Sequence, residues 1–399
     1  MNLAEWIDTI QHRAKECPCG SEHQPVRLEG TVRRGALDDV PGFLLGRQAG
    51  LVTLIADART WEAAGARLAE RLEAAGVAWE RVLLTENANG DIAADEATLV
   101  EAMLGTSRES EALLAIGGGT IHDIVRFAAA QTGRYFVSVP TAASVDGFVS
   151  TGAPLLIRGM KTTIQTASPE AIFADLDVLA GAPREMTAAG FADMLGKYTS
   201  LADWRFSRET AGEPFCPLAY ELTEQALFDC VSHADEIAAA DFEGLRILTE
   251  ALIVSGLSMQ LVDHSRPASG GEHHLSHLWE MALLRAGRRQ ILHGAKVGVA
   301  SVIVAGLYRR LAELAGQPAD DGSVHSPHLA LFAGLPRPEE LAALLAKVGG
   351  PSSIGELGIT RELAGEALAT AHTIRNRATG LRYANEHGLR FPLAAGLEE

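Results

Sequence analysis

The chain has 399 residues, of which 47% are hydrophobic, so it is long enough for two or three domains with large cores and is not a disordered protein. Its formal net charge of −17 argues against nucleic-acid partners and against anionic membrane surfaces. Four cysteines are too few for a disulfide framework, and neither a signal peptide nor an apolar run near the ~20 residues of a membrane span is visible, which favours a cytoplasmic enzyme.

The first 41 residues are the hardest to interpret. They contain Cys17, Cys19 and His23, two thiols and an imidazole within one short stretch. These residue types can bind zinc, but only three ligands lie close together and no second cluster follows. A structural turn is the simpler interpretation.

From about residue 49, short apolar runs alternate with segments of helical spacing. We predict strands over 51–56, 81–85, 113–116, 135–139 and 171–174. Helices are predicted over 61–75 and 92–104, the second with Asp91 as its N-cap. Strands separated by helices of roughly 10–15 residues indicate βαβ units and a parallel sheet.

Beyond about residue 183 only helices are predicted. They cover 186–207, 217–238, 242–260, 275–286, 295–314, 338–348 and 361–375, with a polar loop at 321–327. The expected architecture is an α/β N-terminal domain with a parallel Rossmann-like sheet, residues 1–183, followed by an all-α C-terminal domain, residues 184–399.

A glycine-rich loop follows the third predicted strand. Gly117, Gly118, Gly119 and Thr120 lead directly into a helix. Three glycines let the backbone approach a ligand, and the free amides of a helix start favour a pyrophosphate. The spacing differs from the usual dinucleotide fingerprint, and a tight turn is the alternative.

The loops after the first and fourth predicted strands also carry polar residues. Asp57 lies where an acidic side chain can bond the ribose of a cofactor, while Arg59 could instead meet a 2′-phosphate. The stretch 140–150 is rich in small and hydroxyl residues around a single carboxylate, Asp146. Such a loop could bind a cofactor and a polyol together, or could be a surface turn.

Three histidines gather in the stretch 269–298. His273 and His277 are four residues apart and therefore share one helix face, and His293 precedes a glycine that allows close backbone approach. Two imidazoles on one face can hold a divalent metal, or one can bind metal and the other substrate. The spacing alone does not separate His273 from His277 or His274.

Together these stretches resemble the glycerol-1-phosphate dehydrogenases, which belong with the dehydroquinate synthases and iron-containing alcohol dehydrogenases. The resemblance lies in residues 117–123, 140–150, 190–204, 271–277 and 293–298, in that order along about half of the chain. The block 190–204, which ends in Ala202-Asp203-Trp204, is similar to the glycerol-1-phosphate group in particular. The length and the Cys-x-Cys-Gly start resemble its bacterial branch, and the fold implied is dehydroquinate synthase-like.

The resemblance implies a role for each matching residue. Metal ligands would be Asp193, His273 and His293; substrate contacts would be Asp146, Asp193 and His277, with Asp146 and His277 as catalytic groups; dinucleotide contacts would be Asp57, Gly117, Gly118, Gly119, Thr120, Ile121, Thr141, Ala142, Ala143, Ser144 and Ser150. Lys197 follows Asp193 by four residues and would meet either a phosphate or a carboxylate.

The implied reaction is the reduction of dihydroxyacetone phosphate to glycerol 1-phosphate with NAD or NADP and one divalent metal. Zinc is the favoured metal and nickel the alternative, since nitrogen and oxygen donors suit several divalent ions. A homodimer is expected. Other polyol or alcohol dehydrogenases and the sugar-phosphate cyclases of the same superfamily are the alternative reactions, and a non-catalytic binding protein would be expected to lack a metal ligand.

Overall fold

The computed structural model describes residues 3–319 and 322–389, and the order of elements changes once along the chain. The first part alternates strands and helices; its strands are β1 Glu29–Arg33, β2 Leu51–Ala56, β3 Ala78–Leu83, β4 Ser110–Gly117, β5 Tyr135–Pro140, β6 Gly152–Ile157, β7 Met160–Gln165 and β8 Ala171–Asp175. The α-helices of this part are α1 Leu3–Lys15, α2 Val40–Gly46, α3 Ala58–Thr60, α4 Ala66–Ala74, α5 Glu96–Gly105 and α6 Gly119–Thr132, with a π-helical turn at Trp61–Gly65.

The remainder of the described chain is helical. Its helices are α7 Leu176–Leu179, α8 Arg184–Leu195, α9 Lys197–Ala211, α10 Pro217–Ser232, α11 Ala234–Ala239, α12 Phe242–Val262, α13 Gly271–Arg285, α14 His293–Glu313, α15 Pro338–Lys347, α16 Ile354–Leu357, α17 Arg361–Thr370 and α18 Gly380–Glu386. Short 3₁₀ turns lie at Ala36–Asp39, Asp146–Phe148, Pro327–Gly334 and Ala371–Thr373. The predicted polar loop begins at Asp321, outside the described residues.

Six strands form one parallel sheet in the order β1-β8-β5-β4-β2-β3. The chain leaves β2 for β3 on one side and then returns to place β4 on the other side of β2. The order of strands therefore reverses between β2 and β4, and ligands of open α/β sheets bind at the carboxyl ends of the strands beside such a reversal. The loops that begin at Asp57 and at Gly118 lie at that edge.

The sheet and the helical part have separate apolar cores that a third cluster connects. Val52 and Leu54 of β2 pack with Leu68 and Leu72 on one face of the sheet, while α5 and α6 cover the other face. The helical core surrounds α8 and α14. The connecting cluster joins α1, β1 and β8 to α10 and α12, so the N-terminal helix packs against the helical part as well as the sheet edge.

Several boundaries differ from those predicted. Asp91 is not an N-cap: α5 begins later, and Asp95 caps it by accepting a hydrogen bond from the Thr98 amide at 3.0 Å. The helix predicted over 186–207 divides at Gly196, where an added Cβ would lie 2.8 Å from Val297 Cγ1. The helix predicted to begin at 275 starts at Gly271, and the one predicted over 361–375 ends at Thr370.

The two-stranded hairpin β6–β7 has no counterpart among the predicted strands. Pro154 lies within β6, and proline is unfavourable in a strand interior. β7 has the sequence MKTTIQ and little apolar alternation. The turn between them places both Arg158 and Gly159 at positive φ, which suits a two-residue hairpin loop.

Helix α12 is long and apolar enough to cross a membrane, contrary to the expectation that no segment approaches that length. Within the described residues it is the one helix with this property, and 78% of its apolar window is buried inside the protein. A long apolar helix that is mostly covered by protein is a core helix of the fold.

Candidate active site

A cavity of about 790 Å³ lies between the carboxyl edge of the sheet and the helical part. Loops after β2, β4 and β5 line one end, and α13 and α14 line the other. The cavity is large enough for part of a dinucleotide cofactor together with a small substrate. Most of the residues singled out from the sequence border it.

The predicted cofactor residues divide into two groups. Those that line the cavity are Asp57, Gly118, Gly119, Thr120, Ile121, Thr141, Ser144 and Ser150. Gly117, Ala142 and Ala143 do not line it: an added Cβ at Gly117 would lie 2.4 Å from Ile121 Cδ1, and both alanines are 1% exposed. These three residues shape the loops from behind.

The glycine-rich loop fits a phosphate ligand. Gly118 is the N-cap of α6 and makes no side-chain capping bond, so the first amides of this 14-residue helix have no intrahelical acceptor. The nearest atom to an added Cβ at Gly118 is Met186 Cε at 3.7 Å, so the backbone there is open to the cavity. Free amides and the helix dipole favour an anion at this point.

The loop after β2 is ordered by its own hydrogen bonds. Asp57 Oδ1 accepts from the Thr60 amide at 2.7 Å, and the Asp57 amide donates to Thr60 Oγ1 at 3.0 Å. Arg59 pairs with Glu86 and donates to the Gly90 carbonyl at 2.8 Å. Asp57 thus faces the cavity as a helix cap, and the charge of Arg59 is already matched by a carboxylate.

The three predicted ligands of the catalytic metal come together at the other end of the cavity. One donor atom from each of Asp193, His273 and His293 lies within 4.8 Å of the others. Asp193 comes from α8, His273 from α13 and His293 from the first residue of α14. Both histidines line the cavity, whereas Asp193 is fully buried beneath it. One carboxylate and two imidazoles are a donor set that fits a divalent metal with open positions for other ligands.

The orientation of His273 is fixed by its neighbour. His273 Nδ1 and Glu272 Oε1 are 2.7 Å apart, which leaves Nε2 on the side of Asp193. Glu272 also accepts from the Gly270 amide and from Thr199 Oγ1, both at 2.6 Å. Burial opposes ionisation of Glu272, but these hydrogen bonds lower its pKa below the ordinary value. A carboxylate that binds the outer nitrogen of an imidazole is the usual support of a histidine ligand.

His277 lies beside these ligands without joining the set. Its ring centroid is 6.0 Å from that of His273 and 6.0 Å from that of His293. Burial first, and then the positive charge of Lys161, lower the pKa of His277 well below its ordinary value, so the ring is neutral at pH 7. His274 faces elsewhere: it is buried, does not line the cavity, and neither ring nitrogen has a hydrogen-bond partner among the described residues.

Lys197 is paired with carboxylates, not placed in the cavity. Its Nζ lies 2.8 Å from Asp146 Oδ2 and 3.1 Å from Asp193 Oδ1, and it is fully buried. Burial alone would lower the pKa of Lys197, but the two carboxylates raise it above the ordinary value. Asp193 Oδ2 in turn accepts from the Asp146 amide at 3.0 Å. Of the two interpretations of Lys197, the structure supports the carboxylate pair.

The cations of the cavity were not predicted from the sequence. Lys161, on the unpredicted strand β7, lies 2.7 Å from Glu280 Oε1, and Lys296 of α14 lies 3.1 Å from Glu280 Oε2. Although burial opposes it, these two lysines hold the pKa of Glu280 well below its ordinary value. One signal was available, because Lys296 follows His293 by three residues and so shares its helix face.

Arg375 is a cavity cation whose only described partners are hydroxyl groups. It donates to Ser265 Oγ at 3.2 Å, Ser269 Oγ at 3.4 Å and Thr163 Oγ1 at 3.4 Å, and all three residues line the cavity. Among the described residues no carboxylate lies within ion-pair distance of it, and burial lowers its pKa. A guanidinium without an anion in a partly desolvated cavity is suited to bind an anionic ligand.

Comparison with known proteins gives matches over most of the chain. A family model described as iron-containing alcohol dehydrogenase matches residues 31–183. A glycerol-1-phosphate dehydrogenase (NAD(P)+) of Bacillus licheniformis is 47% identical over 389 residues, which cover 97% of this chain and 96% of that protein. The protein of the same name from Pyrococcus furiosus is 34% identical over 311 residues, 76% of this chain and 80% of that one.

Solved structures of more distant relatives share the fold. Glycerol dehydrogenase from Schizosaccharomyces pombe aligns with a TM-score of 0.66 at 17% identity, covering 95% of this chain and 98% of that chain. Sulfoacetaldehyde reductase from Bifidobacterium kashiwanohense, solved with NAD+, aligns with a TM-score of 0.65 at 15% identity, covering 94% and 99%. These matches confirm the expected dehydroquinate synthase-like architecture.

Proposed function

The chain belongs to the glycerol-1-phosphate dehydrogenases of the iron-containing alcohol dehydrogenase superfamily, and from that membership we propose how its cavity carries out the reaction. The protein is an NAD(P)-dependent, metal-dependent oxidoreductase that reduces dihydroxyacetone phosphate to sn-glycerol 1-phosphate. The site assignment is supported by one cavity that is lined by a glycine-rich helix start, by the two histidines of a metal donor set and by Arg375, which has no carboxylate partner among the described residues.

We propose that Asp193, His273 and His293 hold the divalent metal and that the loops after β2, β4 and β5 hold the dinucleotide. When bound, the metal supplies Lewis-acid polarisation of the substrate carbonyl, and NAD(P)H supplies the hydride. The hydride goes to C2, one proton goes to the C2 oxygen, and NAD(P)+ leaves. The task of the protein is to align the reacting atoms and to exclude water.

Asp146 and His277 are proposed to contact the substrate. Among the described residues, the Asp146 carboxylate has two partners, Ser255 Oγ and Lys197 Nζ. Each lies 2.8 Å from Oδ2. Oδ1 is then the proposed acceptor for a substrate hydroxyl. His277 is neutral and borders the same cavity, so it can orient the C2 oxygen or relay its proton.

Lys197 is proposed as a positioning residue for the two aspartates. Asp146 and Asp193 belong to different elements, and Lys197 Nζ bonds to a carboxylate oxygen of each. Two carboxylates this close would repel one another without the ammonium group between them. Lys197 therefore fixes the separation of the two carboxylates.

The substrate phosphate is proposed to bind Arg375 and the hydroxyl groups around it. Three other donors near the metal ligands are already occupied: Lys197 is paired, the Gly270 amide donates to Glu272 at 2.6 Å, and the Gly271 amide donates to Asp203 at 2.8 Å. Lys161 adds positive charge on the hairpin side of the cavity, although Glu280 shares it.

Three further assignments are proposals of finer detail. Zinc is the proposed metal, with nickel as the alternative, because nitrogen and oxygen donors accept both. A homodimer and a cytoplasmic location are proposed from the resemblance to the glycerol-1-phosphate dehydrogenases. Elemental analysis and sedimentation of the purified protein would test the first two.

The substrate is tested by following NADH oxidation with dihydroxyacetone phosphate and with dihydroxyacetone. We expect turnover of the phosphorylated ketone and little of the free one. The product should resist a glycerol-3-phosphate dehydrogenase, which acts on the opposite enantiomer. Complete oxidation by that enzyme would contradict the stereochemistry, and equal activity on dihydroxyacetone would favour a polyol dehydrogenase.

The phosphate site is tested by Arg375→Gln. Loss of a charge-assisted pair should lower kcat/KM for dihydroxyacetone phosphate on the order of 30- to 150-fold, which corresponds to a loss of about 2–3 kcal/mol of transition-state stabilisation. The kcat/KM for dihydroxyacetone should not fall. Inorganic phosphite should stimulate dihydroxyacetone reduction by the natural protein but not by the variant. Arg285→Gln, on α13 but outside the cavity lining, is the control. Equal loss on both ketones would show that Arg375 only supports the fold.

A further inference from the structure

A second cluster of metal-binding side chains lies away from the catalytic cavity. Cys17, Cys19 and His23 of the N-terminal segment meet Cys216, which comes from almost two hundred residues later in the chain. None of these four residues lines the cavity. We call this group the Cys3His cluster. The sequence offered only its first three members, and the fold supplies the fourth.

The distances within the Cys3His cluster match the edges of a zinc tetrahedron. Cys17 Sγ lies 3.8 Å from Cys216 Sγ, while His23 Nε2 lies 3.4 Å from Cys19 Sγ and 3.2 Å from Cys216 Sγ. Zn–S bonds of about 2.3 Å and Zn–N bonds of about 2.0–2.1 Å at tetrahedral angles give edges of about 3.8 Å between two sulfurs and about 3.6 Å between sulfur and nitrogen. All four donor atoms lie within 4.8 Å of one another.

Backbone amides donate to two of the three sulfurs of the cluster. The Ser21 amide donates to Cys19 Sγ at 3.4 Å, and Gly20, at φ +74°, provides the turn that brings it there. Cys216 is the N-cap of the 16-residue helix α10 and accepts from the Ala219 amide at 3.4 Å. Amide donors and a helix N-terminus both stabilise a sulfur that carries negative charge.

We propose that the Cys3His cluster binds one structural Zn²⁺. Four protein ligands close a tetrahedral site and leave no position for substrate, which is the pattern of structural zinc. Three thiolate ligands also favour zinc over magnesium, calcium and manganese, which prefer oxygen ligands. The 3.8 Å separation of Cys17 and Cys216 is far longer than the ~2.05 Å of a disulfide.

The ion would fasten the N-terminal segment to the helical part of the protein. Among the described residues, the segment after α1 has few other polar contacts with the helical part, one of which runs from the Gln24 amide to the Leu261 carbonyl at 3.1 Å. Helix α1 itself adds the exposed pair Arg13–Glu221 at 2.8 Å. Because the unfolded chain has no equivalent site, the free energy of metal binding would add to the stability of the folded state. The proposed role is structural and independent of the dehydrogenase reaction.

Cobalt provides a test on the unaltered protein. After removal of bound metal under reducing conditions and reconstitution with Co²⁺, the Cys3His cluster should give thiolate-to-cobalt charge-transfer bands in the near ultraviolet. The catalytic donor set has no sulfur and cannot give them. Absence of these bands would overturn the proposal even if no variant folds. A Cys17–Cys216 disulfide that mass spectrometry detects in protein purified with a reductant would overturn it as well.

Metal analysis of variants separates the two sites. The natural protein should hold two metal equivalents per chain. Cys19→Ser should lose the zinc equivalent and the cobalt–thiolate bands while keeping turnover of dihydroxyacetone phosphate, whereas His293→Ala should lose the other equivalent and turnover but keep the bands. Cys230→Ser, a buried cysteine outside the cluster, should keep both equivalents. Unchanged zinc content in Cys19→Ser would contradict the assignment.

Discussion

At the scale of single residues, Asp57 illustrates how one carboxylate can serve the fold and the ligand together. Its Oδ1 caps the short helix α3 through the Thr60 amide, and the residue also borders the cofactor end of the cavity. Replacement by alanine would remove the cap as well as the charge, at a cost of about 1 kcal/mol for the cap alone. A substitution that retains the cap is needed to examine the cofactor.

Asp57→Asn keeps a side-chain oxygen for the Thr60 amide but removes the negative charge that would repel a 2′-phosphate. We expect the ratio of kcat/KM for NADPH to that for NADH to rise by roughly tenfold, equivalent to about 1.4 kcal/mol. Initial rates with both cofactors measure it. Asp95→Asn, which alters the N-cap of α5 outside the cavity, should leave the ratio unchanged. If Asp57→Asn also leaves it unchanged, Asp57 does not contact the cofactor ribose.

The sequence placed the histidines together but could not distinguish their roles. Spacing gives His273 and His277 the same helix face, and in the structure both border the cavity. What separates them is tertiary: Asp193 reaches the side of His273, and Glu272 bonds its other nitrogen. Cys216 is a similar case, because its partners Cys17 and His23 are remote in sequence. Long-range contacts of this kind leave no periodic signal in one sequence.

At the scale of elements, close backbone contacts of helix α8 hold the site together. An added Cβ at Gly190 would lie 2.0 Å from the Ala143 carbonyl oxygen, in the loop that precedes Asp146. An added Cβ at Gly294 would lie 1.8 Å from the Ala189 carbonyl oxygen. Helix α8 therefore packs closely between the loop after β5 and the start of α14. The positions of Asp193, Asp146 and His293 depend on this packing, which requires glycine at 190 and at 294.

Gly190→Ala should therefore destabilise the protein, although alanine is the better helix former. Overpacking against a backbone carbonyl costs about 1–3 kcal/mol, and displacement of the loop should also lower kcat/KM. Gly365→Ala is the matched control: it is an exposed position within α17 with no atom within 4 Å of the added Cβ, and should stabilise by up to about 1 kcal/mol. Thermal unfolding and steady-state kinetics give both quantities. Equal stabilisation by the two substitutions would show that α8 can move away without consequence.

Most elements could be predicted because they have clear periodicity. β2, β4 and β5 are short apolar runs, and the helices that follow have one apolar face, so the alternation of the N-terminal part was visible. β6 and β7 were not, since Pro154 and a polar strand hide the hairpin that brings Lys161 to the cavity. The predicted domain boundary at 183 stays a prediction; the last strand ends at Asp175.

At the scale of the whole molecule, the active site exists only when the sheet and the helical part are assembled. The loops proposed to bind the cofactor follow strands of the sheet, while the proposed metal ligands come from α8, α13 and α14. A ligand that joins three separated helices binds the folded chain and has no equivalent site in the unfolded one. Binding of the catalytic metal should therefore be coupled to global stability.

The coupling is measured by thermal unfolding of Cys19→Ser protein, in which the Cys3His cluster cannot contribute. At a free metal concentration of about a thousand times Kd, one site that binds only the folded state adds about 4 kcal/mol to the free energy of unfolding. We expect zinc to raise the unfolding midpoint of this protein and a chelator to lower it again.

In the double variant with His293→Ala, one donor is missing, and the rise should largely disappear together with metal content and turnover. His328→Ala, an exposed histidine remote from both clusters, should respond to zinc as the parent does. If the double variant retained the full zinc-induced rise in the unfolding midpoint, the remaining residues would bind the metal equally well. His293 would then not be a ligand.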